Sequence, residues 1–171
     1  VQNLSEAAIA VVSEIEFAGL YTTANIIGIT GSNGKTTTTL MVHHILKQAG
    51  LDVAMGGNIG ESFAKQVLNA NANYVLELSS FQLDGIEKFR PHIAIITNIT
   101  PDHLDRYDHK FENYIASKFR IAMNQTSKDY LIYDSDDEVI VSYLKTHNIQ
   151  STLVPFSLTR KVTNGTYLEQ N

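Results

Sequence analysis

Apolar residues are distributed along this chain in two textures. Some form short continuous runs, and others recur every three or four positions. From Asn25 onward the runs Ile26-Ile27-Gly28-Ile29, Val53-Ala54-Met55, Tyr74 to Leu78, His92 to Thr97 and Tyr130 to Tyr133 predict strands. The periodic stretches between them predict helices. One runs from about Thr36 to Ala49, with Leu40, Met41, Ile45, Leu46 and Ala49 as its apolar positions and Gly50 suited to its C-terminal cap. A second carries Phe63, Ala64, Val67 and Leu68, a third spans about Phe111 to Asn124, and a fourth spans Asp136 to Leu144. Strands that are apolar throughout and alternate with helices predict an α/β fold: a mostly parallel sheet with helices on both faces. After Gln150, Leu153-Val154 reads as a further strand, and Asn164-Gly165 predicts a small antiparallel hairpin near the C-terminus. Before Asn25, Ala7, Ala8, Val11 and Val12 form a short helical pattern, so residues 1–24 read as a tail or linker from something upstream.

Composition narrows the class. A chain of 171 residues, 43% hydrophobic and 18% charged, predicts one domain with a buried core. Thirteen basic against 18 acidic residues leave a net charge of −5, which argues against a nucleic-acid partner. The absence of cysteine excludes disulfides and Cys-ligated zinc or iron–sulfur centres. No apolar run approaches the roughly 20 residues of a membrane span, and no signal peptide opens the chain. The expectation is a cytoplasmic protein with no membrane partner. Because the first residue is Val1, the chain also reads as a piece of a longer product.

Four features carry candidate chemistry. Gly31-Ser32-Asn33-Gly34-Lys35-Thr36-Thr37 lies between an apolar strand and a helix, as a P-loop does. Small residues let backbone N–H groups surround a phosphate at the positive end of the helix. Lys35 can reach the outer phosphates, and the Thr36 hydroxyl can ligate Mg²⁺. The spacing departs from a strict Walker motif, because Ile29 stands where its first glycine belongs. Glu77 lies within an apolar strand, flanked by Val75, Leu76 and Leu78, where a carboxylate either holds Mg²⁺ beside a triphosphate at the strand's carboxyl end or sits in a structural ion pair or edge position. Lys118 sits on a helix face made by Phe111, Tyr114, Ile115, Phe119 and Ala122. It either snorkels to water or is a buried amine of lowered pKa, able to react with CO₂ to form an anionic carbamate. Asp102 and His103 follow a strand that Pro101 ends, where they form either a second metal site or a capped surface turn. The remaining histidines, His43, His44, His92, His109 and His147, show no ligand spacing.

These features together resemble the Mur ligases, the ATP-dependent amide ligases of peptidoglycan precursor synthesis. Thr30 to Thr37 resembles the family's ATP loop, and Gly56-Gly57-Asn58-Ile59-Gly60 its second loop. Asn98 to Arg106 resembles its metal-site histidine segment, and Tyr114 to Ile121 the segment of its carbamylated lysine. Leu76-Glu77-Leu78-Ser79-Ser80-Phe81-Gln82-Leu83 is similar to the D-glutamate-adding branch. The resemblance implies the central ATP-binding domain of a three-domain enzyme. Residues 25–171 would be that domain, incomplete at its C-terminal end, with the C-terminal domain outside the chain and the fragment alone inactive. It also implies D-glutamate and UDP-N-acetylmuramoyl-L-alanine as substrates, an acyl-phosphate intermediate, and ATP with two Mg²⁺ sites. Gly31 to Thr37 would bind ATP. Lys35, Glu77, His103 and Lys118 would be catalytic. Thr36, Glu77, His103 and carbamylated Lys118 would serve the metals, and Asn58, Ser79 and Gln82 would contact the muramoyl substrate. Another Mur-type or a folylpolyglutamate-type amide ligase is the alternative with related chemistry, and the Ser-Ser-Phe-Gln stretch argues against it. A P-loop module that binds nucleotide without ligating is the alternative outside that chemistry, and it would need neither Lys118 nor the His103 turn.

Overall fold

A computed structural model describes residues 11–169. Its centre is a seven-stranded sheet in the order β2-β3-β1-β4-β5-β6-β7. The strands are β1 (Asn25–Thr30), β2 (Val53–Gly57), β3 (Asn73–Glu77), β4 (Ile93–Ile96), β5 (Tyr130–Asp134), β6 (Thr152–Ser157) and β7 (Thr166–Tyr167). Every neighbouring pair is parallel, with Ile27 opposite Val75 on one side and Ile93 on the other. The helices are α1 (Glu14–Gly19), α2 (Lys35–Gln48), α3 (Phe63–Val67), α4 (Ser80–Asp84), α5 (Phe111–Phe119) and α6 (Glu138–Thr146). Short 3-10 turns occupy Leu104–Arg106 and Arg120–Ala122, so the helix expected to reach Asn124 tightens after Phe119. Ser13, Ser62, Ser79 and Asp137 cap the N-termini of α1, α3, α4 and α6 with their side chains.

The two faces of the sheet are unequal. One carries the main core, where Ile15, Phe63, Leu83, Tyr114, Phe119 and Ile140 of the helices meet Leu76, Ala94, Ile96 and Leu131. The other carries Ile29, Val75 and Ile95, against which Val42 and Leu46 of α2 pack. Helices thus lie on both faces, as expected. The face of α2 differs from the expectation: Leu40, Met41 and Ile45 are about half exposed, and Thr39 is its buried residue. The Thr39–Val42–Leu46 side of the helix faces the sheet instead, where Val42 and Leu46 cover Ile29, Val75 and Ile95.

One other expectation changes. The C-terminal hairpin is absent: β7 pairs with β6 in parallel, Phe156 opposite Thr166. Asn164 does adopt the left-handed turn conformation, φ +56°. The reversal nevertheless starts earlier, where Asp136 accepts hydrogen bonds from Ser157, Leu158 and Thr159 and draws the chain away from β6. Residues 13–18 of the expected tail or linker pack against the sheet's main core. Ile15 and Ala18 of α1 are buried in the core, and the Ser13 N–H donates to the Gly85 carbonyl. The predicted helical pattern at Ala7 and Ala8 lies outside the described residues. Among the described residues no helix is long and apolar enough to cross a membrane.

Candidate functional site

The candidate residues gather at the carboxyl ends of β1, β3 and β4, where open parallel sheets hold ligands. The loop from β1 to α2 needs its glycines. Gly31 has φ +147°, and a Cβ there would collide with the Thr97 hydroxyl; Gly34 has φ +80°. Gly34 is also the N-cap of α2, and no side chain caps that helix. The first-turn N–H groups are therefore open to an anion, with the helix dipole behind them.

The loop is held in shape by the exit of β4. Asn98 accepts from the Ser32 N–H through its carbonyl and from the Asn33 N–H through Oδ1, both at 2.9 Å. Thr97 Oγ1 and Asn98 Nδ2 donate to the Asn33 carbonyl at 2.7 and 3.0 Å. Ser32 Oγ donates to the Thr100 carbonyl at 2.9 Å and accepts from its N–H at 3.0 Å. Lys35 Nζ lies over the loop, 3.0 Å from the carbonyls of both Gly31 and Ser32. Thr37 is exposed on the first turn of α2.

Glu77 closes β3 and is 2% exposed. Its carboxylate accepts from the Thr36 hydroxyl at 2.7 Å and from Asn58 Nδ2 at 2.8 Å. Among the described residues no cationic side chain forms an ion pair with it, so two neutral side-chain donors face the buried carboxyl group. Gly57 makes this possible: its φ is +97°, and a Cβ would strike the Glu77 backbone. That close approach lets the Asn58 N–H reach the Glu77 carbonyl at 2.8 Å. A hydroxyl and a carboxylate are hard oxygen ligands and suit Mg²⁺. Among the described residues no three His, Asp or Glu side chains converge. A cation beside Thr36 and Glu77 would therefore take its other ligands from phosphate and water.

Lys118 does not snorkel. It is 1% exposed, and its Nζ donates to the Gly31 carbonyl at 2.8 Å, 4.6 Å from the centre of the Tyr114 ring. Burial is the main cause that pulls its pKa down to about 7; the Lys35 charge adds to it, and Asp102 and Asp84 oppose it. At neutral pH a large fraction of this amine is uncharged and nucleophilic.

His103 stands apart on the rim, more than half exposed, with Nε2 3.5 Å from Asp102 Oδ2. Its backbone is left-handed, φ +49°. It makes no hydrogen bond to Glu77 or Lys118. Ser79 and Gln82 are occupied by each other: Gln82 Oε1 accepts from the Ser79 N–H and hydroxyl at 2.9 and 3.0 Å, in a capping box that starts α4.

Sequence reasoning passed over the residues that hold these groups in place. Asp137 Oδ2 accepts from the Ile99 N–H at 2.7 Å, while Oδ1 caps α6. It thereby ties the segment leading to His103 to a helix. Tyr114 counted only as an apolar stripe position, yet its hydroxyl lies 3.2 Å from Ser32 Oγ. An Asp before a helical pattern is a readable capping signal; its second contact, 38 residues away, is not.

Comparison with known proteins identifies the family of this domain. Residues 29–169 match the Mur ligase middle domain. The chain is 61% identical over 168 residues to the UDP-N-acetylmuramoylalanine–D-glutamate ligase of Christiangramia forsetii, covering 98% of this chain and 38% of that protein. It is 53% identical over 170 residues to the ligase of the same name from Bacteroides fragilis, covering 99% and 38%. It thus spans well under half the length of these curated relatives. Among solved structures, the MurF ligase of Thermotoga maritima in complex with ADP superimposes with a TM-score of 0.67 at 20% identity, covering 84% of this chain and 36% of that one.

Proposed function

This chain belongs to the Mur ligase family, and we propose that it supplies the nucleotide-binding part of a bacterial, cytoplasmic enzyme that adds D-glutamate to UDP-N-acetylmuramoyl-L-alanine at the expense of ATP. The observation that carries the reading is the juxtaposition of a preorganised phosphate loop, the Thr36–Glu77–Asn58 cluster and a buried amine on one loop carbonyl. A module that merely held nucleotide would have no use for a desolvated lysine at that point.

In the proposed reaction the substrate carboxylate attacks the γ-phosphorus of ATP and ADP leaves. The D-glutamate amine then attacks the acyl phosphate, and inorganic phosphate departs from the tetrahedral intermediate. Negative charge spreads over the transferring phosphoryl group, so the protein's task is to position and neutralise. The N–H groups of Gly31 to Thr37 and the α2 terminus cradle the phosphates. Lys35 leaves its carbonyl partners for the β- and γ-phosphate oxygens. Thr36 and Glu77 would hold one Mg²⁺, which screens charge between phosphates. His103 and Lys118 would serve a second. For that role the neutral Lys118 amine attacks the carbon of CO₂ and its nitrogen loses a proton, leaving an anionic carbamate. Asn58, Ser79 and Gln82 border the acceptor substrate. Residues 25–171 belong to the central domain, and the walls that bind the uridine nucleotide and the amino acid come from outside this chain.

The test uses the full-length protein, ATP, Mg²⁺ and UDP-N-acetylmuramoyl-L-alanine with a panel of amino acids. ADP release that depends on D-glutamate is the expected result. Preference for another amino acid would refute the substrate assignment, and binding of ATP with no ADP formation would refute the ligase reading. A ¹³CO₂-derived carbamate signal that disappears in Lys118→Arg tests the modification separately.

A further inference from the structure

Phe81 is a large apolar side chain left 40% exposed at the start of α4, beside the site. Three side chains of one loop surround it. The His103 ring lies 5.4 Å from it, tilted by 55°. The Tyr107 ring stacks at 6.2 Å with planes 6° apart. The Arg106 guanidinium sits over its face, 4.8 Å from the centroid. Each geometry is attractive for an aromatic ring.

The loop needs such support. His103, Asp108 and His109 all have φ near +50°, a left-handed conformation unfavourable for residues with a Cβ. Strained backbone of this kind persists only where its surroundings hold it. The far end of the loop is fixed by the Tyr107 hydroxyl, which donates to Asp84 at 2.9 Å and lies 3.2 Å from Ser117 Oγ. The near end, with His103, is half exposed, and the hydrogen bond that its backbone N–H donates goes only to the adjacent Asp102.

We infer that Phe81 is the positioning residue of His103: a peg that holds the imidazole in place on the rim of the site, without itself touching the reacting atoms. The inference rests on the ligase reading above for its kinetic consequence, but not for its structural one. It also accounts for a solvent-exposed phenylalanine that contributes little to the core.

The experiment separates the two. In the full-length protein labelled with ¹³C-histidine, the His103 Cε1–H resonance is identified by its loss in His103→Gln. Phe81→Leu should shift that resonance, because the ring current of Phe81 is removed. In kinetics, Phe81→Leu should lower kcat about tenfold or more while the KM for ATP stays within twofold, and Phe81→Tyr should restore kcat to within about threefold. An unmoved His103 resonance in Phe81→Leu overturns the inference. So does an unchanged kcat with a raised KM for the uridine substrate, since Phe81 would then be a substrate contact. A shifted resonance in a protein that never ligates would leave the positioning intact and refute the function instead. If Phe81→Leu does not fold, the resonance and kcat of Phe81→Tyr decide: both close to wild type sustain the aromatic peg, and either one lost overturns it.

Discussion

The two ends of the sheet treat buried charge in opposite ways. At the amino end, Asp129 is 1% exposed and every oxygen is answered. Arg90 reaches it through two nitrogens at 2.8 and 3.1 Å, His92 Nδ1 lies 3.2 Å away, and the Thr126 N–H and hydroxyl donate to it. Burial would raise its pKa, but these partners outweigh that and hold it at about 2. Glu16 follows the same rule: burial is opposed by the N–H groups of Glu87, Lys88 and Phe89, which keep its carboxyl below the usual value. At the carboxyl end, Glu77 has only neutral partners, and Lys118 has a carbonyl but no ion-paired carboxylate among the described residues. Charges at one end are completed by the fold; charges at the other are left for a ligand to complete. The first kind stabilises, and the second is what a site for phosphate and metal requires.

The comparison is open to mutation. The largest effect belongs to the carboxyl end. Lys35→Ala in the full-length protein should cut ligation by a factor of about 10³, since a preorganised charge on a transferring group is worth several kcal/mol. Its thermal midpoint should stay within a few degrees. Ligation within about tenfold of wild type would remove Lys35 from the mechanism. At the amino end the effects are on stability. Asp129→Asn should lose about 2 kcal/mol in urea unfolding at pH 7 while the rate per folded molecule is unchanged. Because the folded pKa of Asp129 lies below its ordinary 3.8, this contribution is present above that value and is lost as pH falls toward about 2. The wild type should therefore lose stability over that interval more steeply than the variant. Smallest of all, Glu16→Gln should lose about 1 kcal/mol, because one amide oxygen replaces two carboxylate oxygens before three N–H groups. Loss of ligation without loss of stability in either amino-end variant would break the comparison.

Much of this architecture was legible in the sequence because the signals are local. A parallel strand buried on both faces is a run, so β1, β3, β4 and β5 stand out. The phosphate loop and Glu77 are readable because the local pattern marks them, a Gly-rich turn between strand and helix and a carboxylate in an apolar run, although Thr36, Asn58 and Asn98 that complete their surroundings are remote. What was misread depends on distant partners. The Asn164-Gly165 turn names a reversal but not the strand it returns to, and Asp136 decides that from across the fold. The apolar stripe of α2 shows which residues are apolar, whereas packing against Ile29, Val75 and Ile95 decides which of them face the sheet. A lysine on a helix stripe more commonly snorkels, and the stripe alone favours that reading for Lys118; Gly31, 87 residues away, decides for burial. Phe81 and Asp137 were invisible as supports because each acts through a loop remote in sequence.

The most direct test is the stability of Lys118→Met beside its ligase rate. A lysine whose folded pKa is about 7 is held there at a loss, because the unfolded chain binds its proton more tightly at every pH below about 10. Replacing it with an apolar side chain of similar length should raise the unfolding free energy by about 3 kcal/mol at pH 7 in CO₂-depleted buffer. The gain should shrink as pH approaches 10, and ligation by the full-length protein should be abolished. A variant that is both more stable and inactive is the result predicted for a charge kept for a ligand. A variant that is less stable than wild type, or that still ligates, would contradict the account.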